Sequence, residues 1–401
     1  MFRNLSMSKS AITKIQGAIV VIIVIVAALI GTYAWWVSLP PPAKKTIKIG
    51  APHAMTGEAA WFGKVATIAA EIAVDEINEA GGVLGMELEL VVEDGKCEPS
   101  EALAAIERLI HIHNVDFLIG ATCSACTLTA APIVCENKIP YICHGESHPD
   151  ITNKAGVGGW EYIFSQYPRD DERSKLMVDF MINERGDASF CYINIDNDYG
   201  RGVYEAAENE TLALGGTILS SDFHLPGETE YRPILTKIKG LAPDALVINT
   251  YMEDGAKILE QAYELGLHEV IPHFYSMCCL CNEAVRDLIG ADKVEGLMEI
   301  ETFMIYGSKA EDFAAEFEAR AGEKPTADAA LPYMSVKILA EAIEAAGTTD
   351  REAVLNSLKT LHWDYFGWSE AYFDEHNHAH YPLFIKQMVN GEVTMLQMIS
   401  P

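Results

Sequence analysis

The 401-residue sequence predicts an α/β protein of two Rossmann-like (flavodoxin-like) lobes, each a parallel sheet flanked by helices, with a cleft between them. Two observations predict the lobes. From Ile47 to Thr152 the chain reads strand, loop, helix four times over, and a second series of the same kind begins after Ile163. Strands alternating with helices at this spacing pair in parallel with helices on both faces. Ligands of such sheets bind beyond the carboxyl ends of the strands. A third observation concerns where the body resides: a long apolar run lies near the amino terminus.

The first unit is a strand at 46–50, a loop at 51–63 and a helix at 64–78. The second is a strand at 87–92, an Asp94-Gly-Lys-Cys97-Glu-Pro99 turn and a helix opening at Ser100. The third is the strand 116–120 followed by Ala-Thr-Cys-Ser-Ala-Cys-Thr127, and the fourth is 140–143 followed by His-Gly-Glu-Ser-His-Pro149. The strand ends thus carry Trp61, Phe62, Ser124 and Ser147 on loops rich in small residues. In the second series a strand at 190–195 runs into Asp196-Asn-Asp-Tyr199-Gly-Arg-Gly202. Strands follow at 217–221, 245–249 and 271–275, with a helix at 253–265 after Thr250-Tyr251-Met252. From Val294 the chain is expected to return to the first lobe, with helices near 309–321 and 331–346. The tail 368–397 reads as a β-hairpin, Asn390-Gly391 being a strong turn signal.

Residues 17–37 are 21 consecutive uncharged residues, and at ~1.5 Å per residue a helix of that length just spans a ~30 Å hydrocarbon core. Arg3, Lys9 and Lys14 precede it and no acid occurs before Glu58, which places the amino terminus in the cytoplasm. The competing reading is a cleaved signal peptide, whose apolar region is usually ~7–15 residues. In either case the rest of the chain is exported. The linker Leu39-Pro-Pro-Pro-Ala43 is stiff and extended. Five of the 29 basic residues and none of the 58 acids precede Thr46, so the body carries a net charge near −34. Such a surface excludes nucleic acid and anionic lipid headgroups as partners.

Enzymatic signatures are missing: the sequence has no G-x-S-x-G elbow, no P-loop and no G-x-G-x-x-G after a strand. The chain is expected to be a binding protein, not an enzyme, with no cofactor and no metal.

Several motifs in fixed order carry a family resemblance. They are Ala54-Met-Thr-Gly57 with Trp61-Phe-Gly63, Asp75-Glu-Ile-Asn78 with Ala80-Gly-Gly82-Val-Leu-Gly85, and Glu93-Asp94 with Cys97. Ile119-Gly120 with Cys123-Ser124, Asn197-Asp-Tyr-Gly200, and Gln261-Ala262 with Glu264-Leu-Gly266 follow. From Thr46 onward the chain resembles the type I periplasmic substrate-binding proteins of ABC transporters, in the branched-chain amino acid (leucine/isoleucine/valine) group.

The resemblance implies two lobes joined by a hinge that the chain crosses several times. The lobes would be 46–165 with 296–382, and 166–295 with 383–401, preceded by a basic segment (1–16), the apolar segment (17–37) and the linker (38–45). It implies a ligand carboxylate held by Ser124, Gly145 and Ser147, closure by Tyr199 and Tyr251, and an apolar wall of Trp61, Phe62 and Tyr333. Neutral hydroxyls and N–H groups at helix amino ends suit a carboxylate, although hydroxyls there also serve as ordinary helix caps. It also implies a Cys97–Cys123 disulfide, which an exported body permits; Cys123 with Cys126 is the rival pairing.

One departure stands out. Amino-acid binders of the family place a carboxylate for the ligand ammonium after the fourth strand of the second lobe, and this chain has Phe274-Tyr-Ser-Met277 there. A buried ammonium needs an opposite charge, and Glu146 and Glu253 are the foremost substitutes, with Asp196 and Asp254 behind them. A ligand without an α-ammonium is the other solution. A soft-metal site from Cys123, Cys126, Cys278 and Cys281 is the lesser reading of those cysteines. The implied function is the solute-binding component of an ABC importer, membrane-anchored with its body outside, delivering a small carboxylate ligand to a permease. The alternatives are a sensory ligand-binding module for a signalling partner and a binder of an amide.

Overall fold

The computed structural model of the chain describes residues 25–27, 46–57, 59–368 and 370–399. Ile25–Ala27 are helical; the rest of the expected anchor over 17–37, and the linker 38–45, lie outside the described residues. No helix among the described residues is long and apolar enough to cross a membrane.

From Thr46 the chain forms one compact unit containing two major sheets. In chain order the first lobe has β1 (Thr46–Ala51), α1 (Ala60–Glu79), β2 (Glu87–Val92), α2 (Pro99–His111), β3 (Phe117–Ile119), α3 (Ser124–Glu136), β4 (Tyr141–Cys143), α4 (Pro149–Lys154) and β5 (Ile163–Ser165). Its five strands lie in the order β2-β1-β3-β4-β5, all parallel. This is the flavodoxin-like order, in which the switch point falls between β1 and β3. The second lobe has α5 (Asp170–Asp179), β6 (Ser189–Ile195), α6 (Asp198–Ala213), β7 (Thr217–His224), α7 (Arg232–Leu241), β8 (Ala245–Asn249), α8 (Met252–Glu264), β9 (His273–Ser276), α9 (Glu283–Ile289) and β10 (Met298–Glu301). Here the parallel order β7-β6-β8-β9-β10 repeats the first lobe's. Strand β8 is buried along its whole length, which explains why its sequence is nearly all apolar rather than alternating.

The chain then returns to the first lobe with α10 (Ser308–Ala321), α11 (Ala327–Ala346) and α12 (Arg351–Leu358); α11 packs along α1. A small antiparallel sheet follows, β11 (His362–Trp363), β12 (Ala371–Phe373) and β13 (Ala379–His380). Finally β14 (Leu383–Val389) and β15 (Glu392–Ile399) add an antiparallel hairpin to the β10 edge of the second sheet. Asn390 and Gly391 turn it with φ of 53° and 78°, as a two-residue type I′ turn requires.

Several boundaries differ from the sequence reading. Helix α1 opens at Ala60, so Trp61 and Phe62 stand in its first turn and not on the loop before it. The fourth unit is followed by a fifth parallel strand, β5. The return to the first lobe comes after Glu301, not at Val294, because Met298–Glu301 pair with β9 and β14 in the second sheet. The hairpin is confined to 383–399, and residues 371–380 belong to the small sheet. The lobes are therefore joined by three crossings, after Ser165, after Glu301 and after His380.

Motif residues hold the loops that shape the cleft. Asn78 exchanges two hydrogen bonds with the backbone of Leu88, tying α1 to β2 (2.9 and 2.8 Å). Asp94 accepts from the N–H groups of Met55 (2.9 Å) and Thr56 (3.3 Å), pinning the loop after β1. A Cβ at Gly63 would lie 2.0 Å from the carbonyl oxygen of Ala54, and one at Gly200 would lie 2.0 Å from that of Ile195. Only glycine lets α1 and α6 approach the strands they follow so closely.

Candidate functional site

A cavity of about 30 Å³ lies between the lobes at the carboxyl ends of the strands. The first lobe contributes Phe62, Thr122, Cys123, Ser124, Gly145, Ser147 and Asp328; the second contributes Arg173, Tyr199, Tyr251 and Cys278, and Tyr167 comes from the first crossing.

The polar corner is built at the start of α3. Cys123 is its N-cap in extended conformation, so Ser124 is the first helical residue, and the N–H groups of a first helical turn have no partner within the helix. The Ser124 hydroxyl accepts from the N–H groups of Ser147 and His148, both at 3.3 Å. A hydroxyl has two acceptor positions and one proton, so what Ser124 has left is its O–H donor. Beside it Thr122 is held at φ 73°, a costly conformation for a β-branched residue that is typical of functional loops. The hydroxyls of Thr122 and Tyr199 have no hydrogen-bond partner among the described residues, an uncommon condition for buried polar atoms.

The apolar wall runs from one lobe to the other. Trp61 packs edge-on against Phe62 (5.2 Å between ring centroids), Phe62 edge-on against Tyr251 (5.6 Å), and Tyr251 stacks on Tyr199 (5.7 Å, 12° between planes). Asn197 donates to the Tyr251 hydroxyl (3.2 Å). Trp61 itself stands behind Phe62, its indole N–H donating to Glu323 at 3.0 Å.

Arg173 and Asp328 supply the charge, and neither is legible from the motifs. Arg173 is fully buried. It pairs with Asp170 (3.0 Å), donates to the Met277 carbonyl (2.6 Å) and the Tyr167 hydroxyl (3.1 Å), and lies 4.6 Å from the Tyr167 ring centre. Asp328, in the first turn of α11, is partly buried; desolvation and the nearby Glu301 push its carboxyl up to about 7.

Three residues expected in the site are elsewhere. Glu146 is 1% exposed and faces into the first lobe. It accepts from the Ala121 N–H (2.7 Å), the Thr127 hydroxyl (2.8 Å) and the Gly145 N–H (2.7 Å). These bonds satisfy loop donors that burial would otherwise leave unpaired, so its carboxylate does not line the cavity. Glu253 opens α8 and is not among the lining residues. Tyr333 packs on Phe313 (4.6 Å) and donates to Glu76 (2.8 Å), on the side of α11 that serves the first lobe.

Cys97 and Cys123 form a disulfide with Cα atoms 5.5 Å apart, and Cys126 is a free, buried thiol. The bridge joins the turn after β2 to the loop that carries Ser124. Of the second cluster, Cys278 lines the cavity while Cys281 is buried against the Leu297 carbonyl (3.3 Å). His144 pairs with His53 in the core (3.2 Å), where burial pushes its imidazole down to about 3.

A sequence profile of periplasmic binding proteins matches residues 46–392. The chain belongs to the periplasmic binding protein family. It is an extracytoplasmic binding protein without a catalytic role, a homologue of branched-chain amino acid binding proteins. The Leu/Ile/Val-binding protein BraC3 of Rhizobium johnstonii is 26% identical over 326 residues, 80% of this chain and 85% of that one. The leucine binding protein LivK of Thermotoga maritima superposes with a TM-score of 0.79 at 27% identity, covering 88% of this chain and 99% of that one. The substrate binding protein LivJ of the Streptococcus pneumoniae branched-chain amino acid transporter, solved with isoleucine, superposes with a TM-score of 0.80 at 26% identity, covering 89% and 100%.

Proposed function

We propose that this chain is the solute-binding component of an ABC importer, and that it captures a branched-chain or other hydrophobic amino acid between its lobes. The observation that carries this reading is the single free donor of Ser124 at the amino end of α3, which suits a carboxylate and no cation. Ser147, Gly145 and the unpartnered Thr122 hydroxyl surround the same corner. Phe62, Tyr199 and Tyr251 would cover the ligand's side chain. The similarity to a leucine binding protein and to a protein solved with isoleucine agrees with this chemistry.

Asp328 takes the role first expected of Glu146 or Glu253: a ligand ammonium beside it would favour its charged form and supply the opposite charge the ligand needs. The body would then present the closed form to a permease. Residues 17–37 are proposed to remain as a membrane anchor, and mass spectrometry of native protein beginning near Pro40 would reject that. One observation favours a second reading: Asp328 pushed up to about 7 is about half protonated near that pH, and its neutral form would also accept an uncharged amide. Calorimetry with leucine, 4-methylpentanamide and 4-methylpentanoate separates the two. Leucine binding tightest supports the amino-acid reading; 4-methylpentanamide binding as tightly as leucine sinks it.

A further inference from the structure

We propose that Asp374, His378 and His380 form a binding site for a borderline divalent transition-metal ion such as Zn²⁺, supported across the hinge by Glu172, which faces the other ring nitrogen of His378. The inference is independent of which solute the cleft takes, and it departs from the sequence reading, which expects no metal.

The site follows from the alternation of an extended segment. Residues two apart in extended chain face the same side, which pairs His378 with His380 at β13, while the turn at 375–377 folds Asp374 back beside them. One ligand atom from each of Asp374, His378 and His380 lies within 4.8 Å of the others. The Asp374 Oδ2 and His380 Nε2 are already 3.1 Å apart, close to the ~3.3 Å separation that two ligands at ~2.0–2.1 Å make around a tetrahedral ion. Asp374 is oriented by its own loop, its Oδ1 accepting from the N–H groups of His376 (2.8 Å) and His378 (2.9 Å). Such outer bonds fix the direction in which a ligating carboxylate presents its other oxygen.

His378 is the decisive residue. It is 3% exposed, and its Nε2 has no hydrogen-bond partner among the described residues. The Glu172 carboxylate lies 4.0 Å from its Nδ1, and the Tyr167 backbone also meets the ring. A histidine buried for packing alone normally satisfies its ring nitrogens. The nearest cation is otherwise engaged: Arg169 is bonded to Asp171 (2.8 and 2.7 Å) and Asn153 (2.9 Å). His376 turns away to the Thr152 carbonyl (3.1 Å). Two imidazoles with carboxylate oxygens suit Zn²⁺, Co²⁺ or Ni²⁺, whereas Mg²⁺ and Ca²⁺ require oxygen shells.

The location gives the ion a mechanical meaning. Asp374 to His380 immediately precede the third crossing, and the Ser165 N–H donates to the Asn377 carbonyl (2.9 Å), joining this loop to the end of β5 at the first crossing. Glu172 sits in the first turn of α5, the first helix of the second lobe. An ion on Asp374, His378 and His380, with Glu172 accepting from the His378 Nδ1–H as an outer partner, would link the lobes beside the hinge and so bias their angle.

The test is titration of the untagged full-length protein with Co²⁺, read by the visible absorption bands of tetrahedral cobalt. The expected result is one equivalent bound, displaced by Zn²⁺ and indifferent to Mg²⁺. His380→Ala, at a partly exposed position, should weaken binding by at least ~100-fold, and Glu172→Gln by about tenfold. Absence of bands at stoichiometric Co²⁺, or a wild-type spectrum in folded His380→Ala, overturns the site. A wild-type affinity in Glu172→Gln overturns the link across the hinge. His378→Gln tests the buried ligand, and if it does not fold, the His380→Ala result decides.

Discussion

The Ser124 hydroxyl receives two N–H groups and keeps one proton to give, so it can greet an acceptor and nothing else. Losing a hydrogen bond to a charged group costs about 1.5–3 kcal/mol, or about ten- to 150-fold in affinity. Ser124→Ala and Ser147→Ala should each weaken a carboxylate ligand by that order in calorimetry, with sub-additive losses because both serve the same group. Ser124→Ala should also lower the melting temperature, since it leaves the buried N–H of Ser147 and the part-buried N–H of His148 without this acceptor. Asp328 makes a pH-dependent claim. Its folded carboxyl is raised to about 7 from an unfolded value near ~3.9, so between those values the folded form holds a proton that the unfolded form lacks. Stability must then fall as pH rises through that window and level off above it. Asp328→Asn should remove this slope, melting higher than wild type at pH 8 without ligand and no differently at pH 3. Leucine should bind the wild type more tightly at pH 8 than at pH 6, by as much as about tenfold per unit, and hardly at all to the variant. Equal affinities at the two pH values would take Asp328 out of contact with the ammonium. The contrast with Glu146 shows what sequence could and could not convey at this scale. Ser124 and Tyr199 stand inside recognisable motifs and Ser147 and Tyr251 in the loops after strands, and the structure brings all four to one cavity. Glu146 stands in the same loop, but its direction is decided by buried donors at Ala121 and Thr127 that no pattern announces. Arg173 and Asp328 arrive from helix faces distant in sequence, and Thr122 is marked only by its backbone angle.

Among the elements, the loop after β3 has the most to lose. The disulfide ties it to the turn after β2 across a separation of 26 residues, a closure worth about 3–4 kcal/mol in the chain-entropy model. Cys97→Ser with Cys123→Ser should therefore lower the melting temperature by several degrees and weaken ligand binding, because α3 starts from that loop. A double variant with unaltered affinity would show that the bridge does not position Ser124. The alternating units themselves were legible, since period and spacing follow directly from parallel pairing. Strand β10 was not, and the reason is local. Its Met-Glu-Ile-Glu sequence reads as half exposed, yet Glu299 and Glu301 are buried. Glu299 meets Lys386 of the neighbouring strand at 3.0 Å and accepts from the N–H groups of Leu280 and Cys281. A cross-strand ion pair thus hides a core strand behind polar residues, so the polar pattern puts the boundary between lobes before the strand while the sheet puts it after.

For the molecule as a whole, closure rests on Tyr251, which touches Phe62 of the opposite lobe and stacks on Tyr199. A ligand shifts the lobes only through contacts stronger in the closed form than in the open one. Aromatic pairs contribute about 0.5–1.5 kcal/mol beyond their buried area, so Tyr251→Ala should weaken binding by at least about tenfold. Small-angle scattering should show ligand-induced compaction in the wild type and little in the variant; an unchanged affinity would remove Tyr251 from closure. The three crossings have a consequence for biogenesis. Neither lobe is continuous in sequence: the first needs α10 to β13, and the second needs the hairpin that ends at Ile399. A nascent chain emerging from the ribosome therefore cannot finish its first half before His380, or its second before the final hairpin is made. The order of the strands keeps the polypeptide unfinished through most of synthesis, which is the condition in which a chain can still be threaded through a membrane pore.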